Sequence, residues 1–320
     1  MGRKIKAWLI AAALLMIIGL VPCVLILAAN GWDFSKLDSV KYDTKTYEIN
    51  EKFGSISIKT DTSDIVFLPS EDEKCKVVCY EEEKVKHSVS LEGGVLTVNS
   101  VDTRKWYDYI GIYSKSTKIT VYLPEDNYSS LVIKESTGDI DIPNNFKFES
   151  IDVSLDTGDV KCYASASGAI KITATTGDVS VANISAALLE LSVSTGKVKV
   201  SGVTCEGDIK IDASTGKSNL SDIVCKSFIS SASTGDIFLK NVIAKEKLYI
   251  ERSTGDVEFE ACDAAEIYVR TSTGDVEGSL LTDKVFITET STGDVEVPKS
   301  TAGGRCEITT STGDIEITVN

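Results

Sequence analysis

The tripeptide Thr-Gly-Asp, or its variant Thr-Gly-Lys, recurs ten times between Thr137 and Asp314. Its glycines (Gly138, Gly158, Gly177, Gly196, Gly216, Gly235, Gly255, Gly274, Gly293 and Gly313) follow one another at 19 or 20 residues. A unit this short cannot bury an apolar face by itself and depends on its neighbours for a core. The spacing therefore predicts a solenoid with one coil per glycine.

The residues between the glycines select the kind of solenoid. Positions seven and five before a glycine are apolar in most coils (Ile170 and Ile172, Leu189 and Leu191), as are positions two and four after it (Val179 and Val181, Val198 and Val200). Polar residues such as Lys199 and Glu258 alternate with them. A period of two rich in β-branched residues marks a strand with one buried face. A third apolar column stands seven residues after the glycines, at Ile184, Val203, Ile223, Val242, Cys262 and Leu281. The expected fold is all-β, a parallel β-solenoid of two or three faces. With strands ~4.8 Å apart, its corners span a rod of roughly 43 Å.

The corner residues have local explanations. Glycine adopts the positive φ that a sharp turn requires, threonines stacked along a sheet can hydrogen-bond one another, and an aspartate beside a turn can accept from backbone N–H groups that the turn leaves free. The aspartates also form a column, Asp139, Asp159 and Asp178 and then Asp236, Asp256, Asp275, Asp294 and Asp314, interrupted by Lys197 and Lys217. In register, neighbouring carboxylates repel by about 1 kcal/mol in water and roughly 3 at an effective dielectric near 20. One reading makes Asp236, Asp256, Asp275, Asp294 and Asp314 a calcium column, since hard cations favour rows of oxygens. One carboxylate per coil and two lysines in the same column favour turn-capping aspartates and no resident metal or cofactor. Zinc is disfavoured as well, because no CxxC pair exists and His87 is the only histidine.

Residues 7–29 carry no charge over 23 positions, long enough to cross ~30 Å of hydrocarbon. Arg3, Lys4 and Lys6 precede them, which places residues 1–6 in the cytoplasm and everything after Asn30 outside. A cleaved signal peptide would have a shorter apolar region ending in a small-x-small site, so an uncleaved single-pass anchor is expected. The formal net charge of −15 disfavours nucleic acid and anionic lipid headgroups as partners. Of eight cysteines, Cys23 lies in the anchor, and the remaining seven show no disulfide framework.

Residues 30–46 are read as a juxtamembrane linker and residues 47–130 as an N-terminal β region, followed by the solenoid at 131–320. The β region holds a degenerate first coil, in which Ile56 and Ile58, then Thr62-Ser63-Asp64, then Ile65 and Phe67 fit the repeat with Ser63 in the glycine's place. The rest of it is expected to cap the membrane-proximal end. It includes Trp106, Tyr107, Tyr109 and Tyr113, which are either a docking patch for a partner or packing over the first coil, the second being preferred because solenoid ends must be covered. The last coil in sequence stops at Asn320 with open strand edges, so self-association through the C-terminal coil is a further expectation.

The single N-terminal span, the Thr-Gly-Asp-Val or Thr-Gly-Asp-Ile corners and the strand alternation resemble the bacterial family called "putative adhesin", a β-strand-repeat-containing domain of unknown function. The likeness covers about residues 47–320; Lys197, Lys217, Ser218 and Arg252 depart from its repeat. It implies a membrane-anchored β-solenoid with no catalytic residues to carry over. The leading functional expectation is a non-enzymatic cell-envelope protein serving adhesion, scaffolding or display to an envelope protein, wall polymer or surface ligand. The alternatives are an accessory of envelope-stress signalling and, disfavoured because no carboxylate is singled out, a polysaccharide-acting β-helix enzyme.

Overall fold

Residues 2–29, 31–32, 40–109 and 116–320 are described in a computed structural model of the chain. The helix Arg3–Ala29 is apolar on all sides, and the stretch Trp8–Ala29 has a mean hydropathy of 3.0 with none of it buried against the protein. Its 22 residues extend about 33 Å at 1.5 Å per residue, enough to cross a bilayer.

The remainder is a parallel β-solenoid. A typical coil runs through the strand Leu188–Thr195, turns at Gly196, and continues in the strand Val198–Cys205 before a short return. Equivalent strands of successive coils pair in parallel without slippage before the glycine: Ile151, Ile170, Leu189, Ile209, Phe228, Leu248 and Ile267 form one column. Ile140, Val160, Val179, Val198, Ser218, Ile237, Val257 and Val276 form another after it. Both columns are buried and belong to one continuous core. Each side chain of this size removed from water contributes about 1.5–3 kcal/mol, which is why coils too small to fold alone hold one another.

The corner glycines are required twice over. Their φ values lie between +129° and +151°, and a Cβ at any of them would stand 1.9–2.3 Å from a carbonyl oxygen of the neighbouring coil's corner. A second column turns the chain after the corner: Asn183, Gly202, Asp222, Asn241 and Ala261, all at φ between +52° and +62°. The coil after Ala261 lacks this extra residue, and the register shifts so that Cys262 faces Leu280. The inward place expected for Leu281 therefore falls to Leu280, which is buried, while Leu281 is exposed.

Both ends depart from chain order. The strands Ser55–Thr62 and Asp64–Pro69 form a parallel coil, but the later strands Val95–Asp102 and Lys118–Leu123 stack outside it, so the first coil in sequence is the second in space. Over them the strands Cys75–Glu82 and Val85–Glu92 run antiparallel, a reversed layer, with Tyr42–Ile49 as the outermost strand of one face. That strand begins inside the segment 30–46 read as a linker, whose residues 42–46 are therefore sheet. Residues 30 and 33–39 of the segment lie outside the described residues.

At the other end the strand Gly304–Thr312 pairs with Val257–Arg270 on one side and with Lys284–Thr292 on the other. The coil that ends the chain is thus inserted between the Gly274 and Gly293 coils. This corrects the expectation that the C-terminal coil is the open end: the outermost layer is Lys284–Thr292 with Val295–Glu296. The two coils share the corner, but five residues before its glycine the inner one buries Ile308 where the outermost one has Thr288, and the segment between them supplies the step up and back. Lys284 anchors the step, its Nζ 2.6 Å from Asp263 Oδ1 and its side chain buried.

Candidate functional site

The aspartate column is a backbone device. Along the column an aspartate's Oδ1 accepts the N–H of the corner residue one coil onward: Asp64 from Asp139 (3.0 Å), Asp139 from Asp159 (2.9 Å), Asp159 from Asp178 (2.8 Å) and Asp178 from Lys197 (2.7 Å). Beyond the lysines it resumes in spatial order, Asp236 from Asp256, Asp256 from Asp275, Asp275 from Asp314 and Asp314 from Asp294. Meanwhile the glycine N–H donates to a threonine carbonyl of the adjacent coil, as Gly177 does to Thr195 at 2.9 Å. The corner's backbone polarity is met by its neighbours on both sides. At the lysine break, Lys217 Nζ lies 2.8 Å from Asp236 Oδ2 and holds that carboxyl below the usual range. Of the five aspartates considered for calcium, Asp236, Asp256, Asp275 and Asp314 thus accept a backbone N–H in the ladder and Asp294, on the outermost coil, only donates its own, while the threonines before the glycines face solvent.

The second concentration of chemistry was not anticipated from the sequence. In the cap, the strand Cys75–Glu82 points Cys79 and Glu81 inward, and the following strand Val85–Glu92 points His87 at them across a two-residue reversal. All three are buried, and one ligand-type atom from each lies within 4.8 Å of the others. Glu81 Oε2 accepts the backbone N–H of His87 at 2.6 Å and sits 3.1 Å from His87 Nδ1. His87 Nε2 is 3.3 Å from Ser63 Oγ, the residue standing in the first coil's glycine position, and Ser63 Oγ is 2.9 Å from Thr117 Oγ1. Thr117 in turn hydrogen-bonds the carbonyl of Thr62.

Counting hydrogens fixes the directions. A carbonyl only accepts, so the Thr117 hydroxyl proton goes to Thr62. Thr117 then accepts from Ser63, whose single proton is thereby used. Ser63 can only accept from His87, so Nε2 carries a proton and Nδ1 is the nitrogen that faces Glu81. The Ser-His-Glu order imitates a hydrolase triad, but there the serine donates to the imidazole, and here the direction is reversed. Burial pushes the His87 pKa down, opposed by Glu81. Burial likewise pushes the Cys79 thiol up to about 12.

One coil inward, Glu135 is buried three residues before its corner. Its carboxylate accepts from the Thr60 hydroxyl and from the Ser63 N–H at 2.9 Å, and burial raises its pKa to about 8 against those bonds. Arg252, at the same place in a later coil, is also buried; its Nη2 donates to Ser230 Oγ at 2.9 Å while Nε and Nη1 have no partner among the described residues. Burial lowers its pKa to about 10.

The aromatic segment takes the place of a corner in the coil Val95–Leu123. Trp106 and Tyr107 sit on the single helical turn Trp106–Tyr109, their rings edge to face at 5.8 Å, with Trp106 78% and Tyr107 48% exposed. The side chain of Tyr109, and Tyr113 altogether, lie outside the described residues. All seven cysteines beyond the helix are buried free thiols.

A parallel β-solenoid with an apolar N-terminal helix, its core filled from end to end, defines the class of protein. A family model described as Toastrack DUF4097 matches residues 53–220 and again 206–320, and the chain belongs to that family. Among solved structures, the chain is similar to a "putative adhesin" from Bacteroides fragilis NCTC 9343, at 17% identity over 87% of this chain and 97% of that one, with a TM-score of 0.42. It is also similar to a "putative lipid binding protein" from Parabacteroides distasonis ATCC 8503, at 16% identity over 86% and 97% of the two chains, with a TM-score of 0.36. Among curated proteins none matches the sequence.

Proposed function

We propose that this chain is a non-enzymatic envelope protein, a membrane-tethered rod that works by presenting a surface to a partner outside the cytoplasmic membrane. The observation that carries this reading is the contrast between the rod's ends. The apolar helix leads by connectivity into the capped end, whereas the outermost coil at the far end leaves Val285 (37%), Ile287 (48%) and Val295 (45%) exposed beside a strand edge that is unpaired among the described residues. Open parallel edges with apolar side chains receive other chains or extended polymers. Between the ends, coil-to-coil hydrogen bonds at every corner favour a stiff spacer. The basic residues before the helix favour an N-terminus held in the cytoplasm and a rod outside.

The test uses intact cells carrying a photo-crosslinking residue at Ile287, or at Lys199 in mid-rod. Display at the tip yields discrete adducts at Ile287 that are absent at Lys199. Equal or absent labelling at both positions removes the reading.

A second reading draws on Trp106 and Tyr107, exposed at the end nearest the helix in the chain, a fitting place to touch a membrane partner. It makes the protein an accessory of envelope-stress signalling. Replacing both aromatics by alanine then blunts the response to envelope-targeting antibiotics, and an unchanged response disposes of it.

A further inference from the structure

The hydrogen count in the cap leaves one unresolved confrontation. His87 Nε2 carries the proton that Ser63 receives, so across the 3.1 Å between Nδ1 and Glu81 Oε2 there is either one proton, on the ring or on the carboxyl, or a lone pair facing a carboxylate oxygen. All three groups are shut away from solvent, His87 being 4% exposed. Without that proton the ring sets a lone pair against a carboxylate oxygen, with the Cys79 sulfur alongside. A cation among them takes electron pairs from all three.

We propose that Cys79, Glu81 and His87 form a zinc site that closes the cap of the rod. The donor set is one sulfur, one nitrogen and one carboxylate oxygen, all within 4.8 Å of one another. Nitrogen and oxygen ligands at about 2.0–2.1 Å from a tetrahedral zinc lie roughly 3.3 Å apart, close to the separation of Nδ1 and Oε2. Mixed thiolate, imidazole and carboxylate donors suit a borderline ion such as zinc better than calcium or magnesium, which take oxygens.

The surroundings have the form of an outer shell. Ser63 accepts from the far nitrogen of His87 and fixes the tautomer that leaves Nδ1 free, and the His87 backbone N–H holds the Glu81 oxygen. Cys79 gives up its thiol proton on binding, so each zinc bound releases one proton from that group. Three protein donors leave a tetrahedral ion one further position, and the burial of all three favours a structural role. It ties the two strands of the reversed layer together and, through Ser63 and Thr117, to the corners of the two coils beneath.

The experiment uses the full-length protein in detergent micelles, stripped with a chelator and titrated with zinc against a chromophoric competitor. The expected result is one equivalent of zinc bound per chain, with a melting temperature that rises on loading and falls on chelation. Cobalt in place of zinc gives a sulfur-to-metal charge-transfer band. Cys79→Ser abolishes that band and weakens zinc binding at least tenfold, as does His87→Gln, whose amide keeps the bond to Ser63. The unsubstituted protein alone decides the matter if either variant fails to fold: no stoichiometric uptake and no charge-transfer band overturns the site. Uptake that survives both substitutions overturns it equally.

Discussion

Three residues before its corner, the chain places Leu155, Ala174, Val193 and Ala213 in successive coils of the mid-stack, all buried. In the cap the same inward column holds Thr60 and Glu135, hydrogen-bonded to each other. These four coils thus spend that column on apolar contact, and repetition supplies their polar bonds at the surface ladder; the later coil that buries Arg252 against Ser230 is the exception. The cap carries polar groups inside and satisfies them with one another. A periodic region has an identical neighbour above and below every group, so a single corner solution serves throughout. An end has a neighbour on one side only, and its buried groups need partners found once.

The largest effect that tests this contrast is at the corner glycines. Gly196 has φ +151° and a Cβ there would meet the Gly177 carbonyl oxygen at 1.9 Å, whereas Gly93 in the cap hairpin has φ +58° and open space around it. Gly196→Ala is expected to cost about 4 kcal/mol or more, because the fixed backbone of the next coil must move. Gly93→Ala costs only the left-handed strain of about 1 kcal/mol. Chemical denaturation of both variants checks the ranking, and equal losses would mean that corner stacking is not what the glycine protects.

Next in size is Glu135, whose polar partners belong to the cap. Its pKa is about 8 in the folded chain, above the ordinary glutamate value it recovers on unfolding. The folded state therefore holds the proton more tightly, and the group's contribution is fully present below about pH 4.5 and lost as pH rises toward 8. Glu135→Gln keeps an uncharged polar group and removes the titration. Stability of the native protein relative to this variant should fall by on the order of 2–4 kcal/mol across that window, with no such slope from Leu155→Met in mid-stack. Melting curves from pH 4 to 9 measure it, and parallel curves for native protein and Glu135→Gln refute the burial argument.

The ladder itself gives a smaller effect. Asp178→Ala leaves the Lys197 N–H, now held at 2.7 Å, without its carboxylate, and should cost about 1 kcal/mol. Lys197→Ala removes a side chain that contributes nothing to the ladder and should change stability by less than about 0.5 kcal/mol. If the two substitutions are equivalent in thermal melts, the column is decoration on the turn. Added calcium is expected to leave both melts in place.

How much of this was legible follows from the same contrast. Period, strand phase and corner residues are local, repeated facts, so the solenoid and its inward columns could be read directly from Ile170, Leu189 and their counterparts. The order of coils at the ends was harder to read, because the Gly293 and Gly313 units share the period and the corner; the mark of the outermost one is Thr288, flanked by outward Val285 and Ile287, where the inner one has Ile308. The buried cap network left a signal that went unread. Glu81 falls in the inward phase of Cys75, Val77 and Cys79, and His87 falls in that of Val85, two ionisable groups where the strand pattern calls for apolar ones. Arg252 broke its column as visibly, and the structure does bury it. Irregular residues within a regular phase were the marks of the places where the fold does something besides repeat.

The smallest expected effect concerns the second column, where the chain bends after each corner. Asn183, Gly202, Asp222 and Asn241 are residue types that tolerate φ near +55°, and Asn241 Nδ2 donates to Asp222 Oδ1 at 2.9 Å. Ala261 closes the column at φ +54° with a Cβ and no side-chain bond to offset it. The left-handed conformation costs an alanine about 1 kcal/mol, so Ala261→Asn should stabilise the protein by roughly 0.5–1 kcal/mol. Its amide would continue the stack begun by Asn241, and the backbone N–H keeps its bond to Ser279 Oγ at 3.0 Å. For a chain of this size that is a rise of about 1–3 °C in melting temperature. Ala261→Gly relieves the same strain without the amide and should give a smaller rise. A fall for Ala261→Asn would mean that the bend is set by the register shift toward Leu280 and not by the tolerance of its own residue, so the second column would not be a repeated device like the first.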